Sequence, residues 1–284
     1  MATFYNQATL TYQGGVANSN VVTGELVEVV TANKTATTAT YTPGEQVTYL
    51  VNIINSGNTA LNALTVTDDL GAYTVGTQTY VPLTYVNGSA LYYVNGVPSA
   101  PPTVTSAQPL TVTGLTVPAG GNATLVYRAV ANGFADPSVG GSITNVATVT
   151  GNGIATPVEA SATLLAESGA RLSITKAISP SVVSENDRLT YTFVISNTGN
   201  EAAVATDALS VTDTFDPALS NIVVTLNGAV WPEAGNYTYD ESTGAFATVA
   251  GSVNVPAATY TQDATTGEWL TVPGTTVIQV SGTI

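Results

Sequence analysis

Apolar residues fall at alternate positions through much of this chain. Phe4, Asn6, Ala8 and Leu10 make one such set within residues 4–11. Ile143, Asn145, Ala147 and Val149 make a near copy within residues 143–150, and Asn6 and Asn145 stand 139 residues apart. A period of two is what a strand with one buried face requires. Strand patterns resume at Leu26 and run to Ala36, then again over 47–55 and 64–68. Tyr41-Thr42-Pro43-Gly44-Glu45 and Ser56-Gly57-Asn58 supply the turns between them. Helix signals are weak. The best candidate, residues 201–208, is Ala-rich but short and lacks a good cap.

The pattern repeats. Lys34, Tyr49, Asn55 and Gly57 recur as Lys176, Tyr191, Asn197 and Gly199, each 142 residues on. Val66-Thr67-Asp68 recurs as Val211-Thr212-Asp213, 145 residues on, after a short insertion. Asn87-Gly88 and Asn227-Gly228 are hairpin-type turns in corresponding places, and Val117-Pro118 and Val272-Pro273 each precede a late strand. Short strands separated by frequent turns predict an all-β protein of two tandem immunoglobulin-like antiparallel β-sandwiches. The expected division is a donor strand and tether over 1–25, a first repeat over 26–150, a linker over 151–170 and a second repeat over 171–284. Residues 12–24, polar and rich in Gly, Asn and Ser, read as the tether. The linker, with Pro157 and mixed apolar residues, reads as able to pair as an edge strand.

The run Tyr-Thr-Pro-Gly-Glu, Val-Thr-Tyr, Val-Asn, Asn-Ser-Gly-Asn and Val-Thr-Asp across residues 41–68 resembles the bacterial conserved-repeat family, domain of unknown function eleven. The whole chain, with two repeats and an Asn-Gln-Ala-Thr opening, is similar to the two-repeat subunits of clostridial spore appendages. The resemblance implies tandem immunoglobulin-like modules on a cell or spore surface, and it carries no catalytic residues.

Composition narrows the chemistry. The chain has 284 residues, 44% of them hydrophobic, enough for two domains with cores of their own. Five basic residues against 19 acidic ones give a net charge of −14, which makes nucleic acid and anionic membranes poor partners. With no Cys and no His, thiol and imidazole catalysis and disulfides are excluded, and no enzyme activity is expected. Met1 leads directly into the first strand pattern, so no secretory leader can be read.

Strand alternation puts three reactive types on apolar faces. Val30, Ala32 and Lys34 share one face, as do Leu172, Ile174 and Lys176. Leu64, Val66 and Asp68 share another, as do Leu209, Val211 and Asp213. Lys34 and Lys176 are the only lysines, one per repeat. A buried ammonium or carboxylate needs a partner. A desolvated lysine that loses its proton is a nucleophile, and a protonated acid can polarise an asparagine amide, so the set can form an isopeptide bond. Gram-positive surface proteins with similar modules form such bonds. The competing reading is plain Lys–Asp ion pairing with the asparagines at sheet edges.

Other constellations are weaker. Asp68-Asp69 and Asp207, Asp213 and Asp216 lack the spacing of a calcium loop, and no metal or other cofactor is expected. Asn122-Ala123-Thr124 and Asn236-Tyr237-Thr238 match glycosylation acceptors, a common pattern in a Thr-rich chain. Asp240-Glu241 would point to opposite faces of a strand, which does not suit a glycosidase pair. Trp231, Trp269 and Tyr92-Tyr93 are candidates for a sugar platform, although core packing suits them better.

The expected function is a structural subunit of an extracellular fibre. Identical subunits would join head to tail, with Phe4, Asn6, Ala8 and Leu10 of one entering the second repeat of the next. Within a subunit, Lys34, Asp68 and Asn145 form one candidate bond; between subunits, Lys176, Asp213 and Asn6 form the other. The alternative from another class is an adhesin or carbohydrate-binding module.

Overall fold

A computed structural model describes residues 2–26 and 28–284, and the architecture is all-β, two tandem antiparallel sandwiches of immunoglobulin-like type. The chain divides into two compact units. The first takes residues up to 132 together with 143–164, and the second takes 133–142 together with 165–284.

The first unit has two sheets. One runs, edge to edge, through Val97–Pro98, Leu91–Val94, Asn122–Ala131, Gln46–Asn55 and Val30–Ala36, with Leu83–Tyr85 also pairing on Asn122–Ala131. The other runs through Thr103–Ala107, Leu110–Val117, Leu61–Asp68, Ser142–Thr150, Val158–Ala166 and Thr40–Tyr41. Alternation supplies the core. Val47, Tyr49, Val51 and Ile53 point inward from one strand, and Leu125, Tyr127 and Ala129 from its neighbour. Leu64 and Val66 meet them from the second sheet, with Ala147 and Val149. Each large aliphatic or aromatic side chain so buried contributes roughly 1.5–3 kcal/mol. The stretch expected as a linker supplies the strand Val158–Ala166, whose Ala160, Leu164 and Ala166 are buried.

The second unit pairs Leu172–Ser179, Arg188–Asn197, Gly274–Thr283, Ser220–Leu226 and Ala229–Val230 in one sheet. Thr212–Thr214, Ala245–Thr248 and Tyr237–Asp240 make a smaller one. Phe193, Ile195, Phe215, Phe246, Val255, Ile278 and Val280 form its core. The duplication is visible atom by atom at the turn asparagines. Asn55 donates to the carbonyls of Thr59 and Pro118 at 2.8 and 3.0 Å, and Asn197 to those of Glu201 and Pro256 at 2.7 and 3.0 Å. Each also accepts from the glycine two residues on, Gly57 or Gly199.

One sequence expectation is corrected. Residues 12–24 are not a loop: residues 2–26 form a long two-stranded hairpin. Ala2–Asn6 pairs with Val22–Leu26, putting Phe4 opposite Gly24 and Asn6 opposite Val22, and Thr9–Tyr12 pairs with Gly15–Asn18. Ser19 holds the break between the two ladders, its hydroxyl accepting from the Ala8 amide at 3.0 Å. The Phe4 ring lies over Gly24, where a Cβ would collide with it. Residues 201–208 contain only a single 3-10 turn, Ala205–Asp207. The Asp207 carboxylate closes that turn by accepting from the Val204 amide at 2.8 Å. No helix among the described residues is long and apolar enough to cross a membrane.

Candidate lysine–acid–asparagine sites and an open groove

Strand Val30–Ala36 is the edge of the first sheet, yet its inward Lys34 is buried because Leu61–Asp68 and Ser142–Thr150 lie in the sheet opposite. Lys34 Nζ donates to Asp68 Oδ2 at 2.7 Å, and both side chains are fully buried. Tyr127 Oη donates to the same oxygen at 2.5 Å, and the Leu70 amide donates to Oδ1 at 3.1 Å. Asn145 Nδ2 donates to Tyr127 Oη at 3.0 Å. Asn145 Oδ1 and Tyr49 Oη are both buried without a hydrogen-bond partner, although Tyr49 Oη lies beside Asn145. The structure therefore brings Lys34, Asp68 and Asn145 into one network, and adds Tyr127 as the link between acid and amide.

Burial lowers the Lys34 pKa, against the pull of Asp68 and Asp69 in the other direction. Burial also raises the Asp68 carboxyl, against the opposing Lys34 charge. Both directions favour moving the shared proton from nitrogen to oxygen, which gives a neutral amine beside a neutral acid. The Tyr127 phenol is pushed well above its usual value, again by burial, so it bridges as a neutral hydroxyl. An orphaned amide oxygen in a dry site is costly unless chemistry or a partner resolves it.

The second unit carries only part of this set. Lys176 Nζ lies 2.5 Å from Asp213 Oδ2, but the lysine side chain is 41% exposed and the acid 19%. Tyr191 and Phe215 stack beside the ammonium, which stands 4.4 Å from the Tyr191 ring centre. Tyr127 pairs across the ladder with Tyr49, and the residue in that place opposite Tyr191 is Val280, so the bridging phenol has no counterpart. Asn6, the sequence candidate for the third member, lies on the exposed hairpin.

The difference in burial has a structural cause. In the first unit Leu61–Asp68 is paired on both sides, by Leu110–Val117 and Ser142–Thr150. Its counterpart Thr212–Thr214 is paired on one side only, by Ala245–Thr248. Its free edge opens a groove of about 260 Å³ lined by Leu172, Ile174, Ile195, Leu209, Val211 and Thr212. Every residue of Leu172–Ser179 is exposed, and Leu172 is 40% accessible where its counterpart Val30 is 8%. The hairpin shows the complementary pattern: Phe4 is 58% and Leu10 65% exposed.

The remaining candidates have structural roles. Asp69 Oδ1 accepts from the amides of Gly71 and Val146 at 2.8 and 2.9 Å, tying the acid strand to the asparagine strand. Among the described residues no group of three or more Asp or Glu is placed to hold a metal ion. Trp231 packs with Tyr237 in the second core, and Tyr92 is buried with its hydroxyl on the Thr116 carbonyl at 2.8 Å. Neither is available to a sugar platform; Tyr93 and Trp269 are half-buried.

No family model matches this chain, and no curated protein does. Among solved structures it is similar to the major pilin subunit BcpA of Bacillus cereus, with 12% identity over 96% of this chain and 73% of that one and a TM-score of 0.37. It is also similar to a 35 kDa C-terminal fragment of the major pilin GBS80 of Streptococcus agalactiae, at 12% identity, 87% and 91% coverage and a TM-score of 0.35. The collagen-binding domain of a Staphylococcus aureus adhesin matches at 10% identity, 49% and 99% coverage and a TM-score of 0.30.

Proposed function

We propose that this chain is a structural subunit of an extracellular fibre of the spore-appendage kind, and that subunits join head to tail by strand donation. The observation that carries the reading is the groove in the second unit. It presents an unpaired strand edge beside open apolar surface, which is costly to leave bare. Residues 4–11 have the alternation of the strand that fills the same place in the first unit, with Asn6 where Asn145 stands. Strand addition from a second copy supplies the missing hydrogen bonds and puts Phe4, Ala8 and Leu10 over Leu172, Ile174 and Val211. A head-to-tail contact that does not close on itself grows into a filament.

The lysine sites then act as locks. In the first unit Lys34 passes a proton to Asp68 and the neutral Nζ attacks Cγ of Asn145. A C–N bond forms, the second amine proton reaches Nδ2 by way of Asp68 and Tyr127, and the Cγ–Nδ2 bond breaks to release ammonia. The proton left on Asp68 departs with that ammonia as ammonium. Each lysine reacts once, so this is self-modification without turnover. In the assembled fibre Asn6 of one subunit stands to Lys176 and Asp213 of the next as Asn145 stands to Lys34 and Asp68.

Deleting residues 1–12 should leave soluble subunits that do not polymerise, seen by negative-stain microscopy and sedimentation. Asn6→Ala should give fibres that form but come apart in hot detergent. Fibres of the wild-type kind from the truncated protein would overturn strand donation.

A further inference from the structure

The open place in the second unit is two strands wide. In the first unit Leu61–Asp68 and Thr40–Tyr41 belong to one sheet but do not touch; Ser142–Thr150 and Val158–Ala166 lie between them. The counterpart of Thr40–Tyr41, 142 residues on, is Val182-Val183. The match holds in the backbone: Gly44 and Asn186, at equivalent positions, both have positive φ, 90° and 70°. Glu45 and Asp187 each return an amide to the carbonyl three residues back, Thr42 or Ser184. Yet Val182-Val183 forms no strand, and Val182 is 85% exposed. So the second unit has two half-made edges, at Thr212–Thr214 and at Val182-Val183. One inserted strand would pair with the first and leave the second bare.

The N-terminal segment is a two-stranded hairpin of matching build. The Thr144 and Thr163 hydroxyls meet at 2.9 Å, and further along the same two strands the Ala166 amide donates to the Gly141 carbonyl. Those bonds set Ile143 opposite Leu164 and Asn145 opposite Ala162. In the hairpin, Phe4 stands opposite Gly24 and Asn6 opposite Val22. A medium pair, Ile with Leu, is replaced by a large and small one, Phe with Gly, with Phe4 lying over Gly24. In both places the outer strand leads onward into a lysine strand, Val30–Ala36 or Leu172–Ser179. Val22–Leu26 bonds to one edge of Ala2–Asn6, and Gly15–Asn18 to one edge of Thr9–Tyr12. With Asn6 where Asn145 stands, the partners that Thr67 and Asp68 find in Thr148 and Ala147 become Thr9 and Ala8, so the free edge there is the one that meets Thr212–Thr214.

Resting on the strand-donation reading above, we propose that the donated element is the whole hairpin. Residues 3–11 take the place of Ser142–Thr150 and residues 17–26 take that of Val158–Ala166, ending against Val182-Val183 of the neighbouring copy. The junction between subunits then repeats the connection from first unit to second within each chain, with no free tether between them. Val22, on the same face as Phe4 and Asn6, becomes a core residue of the neighbour.

The test compares Phe4→Asp, Val22→Asp and, as a control on the opposite hairpin face, Thr23→Ala in the full chain. All three sites are exposed or half-exposed in the free subunit, so circular dichroism and melting of the unassembled protein should be unchanged. Fibres should be lost with Phe4→Asp and with Val22→Asp, and kept with Thr23→Ala. Hydrogen exchange of wild-type fibres should show new protection at the amides of residues 22–26 and 182–183 as well as 8–11. If Phe4→Asp abolishes fibres while Val22→Asp assembles normally and residues 22–26 stay unprotected, a single strand is donated and the hairpin proposal falls alone. If Phe4→Asp also assembles normally, the strand-donation reading falls with it.

Discussion

Around Lys34, charge and burial oppose each other within a few ångströms. The ion pair with Asp68 holds the proton on nitrogen, while desolvation favours the neutral pair. The amide of Asn145 waits on the far side of Tyr127. Intact mass of the folded subunit should fall by one ammonia, and Lys34→Ala, Asp68→Ala or Asn145→Ala should each restore the full mass. Tyr127→Phe should slow that loss, because the link from acid to leaving nitrogen is cut while the ring still packs. Lys34→Met isolates the acid, and the sign of its pH dependence can be worked out. Burial raises the Asp68 pKa even with the lysine present, and removing the lysine takes away the opposing charge. A folded-state pKa above the unfolded one means the folded protein holds the proton more tightly. The variant should be most stable below the unfolded carboxylate value, then lose about 1.4 kcal/mol per pH unit as the pH rises towards the folded value. Urea unfolding across mildly acidic to neutral pH would measure it; stability rising with pH over that range would contradict a buried, uncompensated Asp68. Lys34, Asp68 and Asn145 were legible in the sequence because alternation alone assigns them to inward faces. Tyr127 was not, since an inward tyrosine in an alternating strand looks like any other core aromatic until its hydroxyl partner is seen.

Among the elements, equivalent strands differ in what covers them. Val30–Ala36 and Leu172–Ser179 carry the same pattern and the same lysine, but the first faces a completed sheet and the second faces the groove. Val30→Ser should therefore cost the free subunit roughly 1.5–3 kcal/mol. Leu172→Ser should cost it less than about 1 kcal/mol and should act on assembly instead, raising the protein concentration at which fibres appear. Denaturant melts of the monomer and sedimentation of the polymer separate the two effects, and equal destabilisation of the monomer by both changes would mean the groove is already filled. The sequence pattern identified both strands but could not show this contrast, because burial depends on what faces a strand. The same limit explains residues 12–24. With neither face of the hairpin buried, Gly15–Asn18 carries no period of two, and Gly and Asn around the tip read as a tether.

For the whole molecule, the offset of 142 residues made the duplication plain, and it also led the count of missing strands astray. Val158–Ala166 follows Pro157 and sits where a linker belongs, so the pattern marks it only as able to pair at an edge. The pattern alone does not show that the second repeat lacks it, and only the sheet order reveals a gap two strands wide. A sandwich with such a gap has less to hold it than one that is closed. The free subunit should then melt in two steps, with the second unit unfolding first. Whatever binds only the folded form raises that form's stability, and under the strand-donation proposal each groove in the fibre is occupied by the next copy. Calorimetry of assembled fibres should find the lower transition shifted upward towards the higher one. Asn6→Ala fibres should keep most of that shift, because strand pairing and side-chain burial survive without the covalent lock. A lower transition that stays in place after assembly would mean that the second unit is not where neighbouring subunits meet.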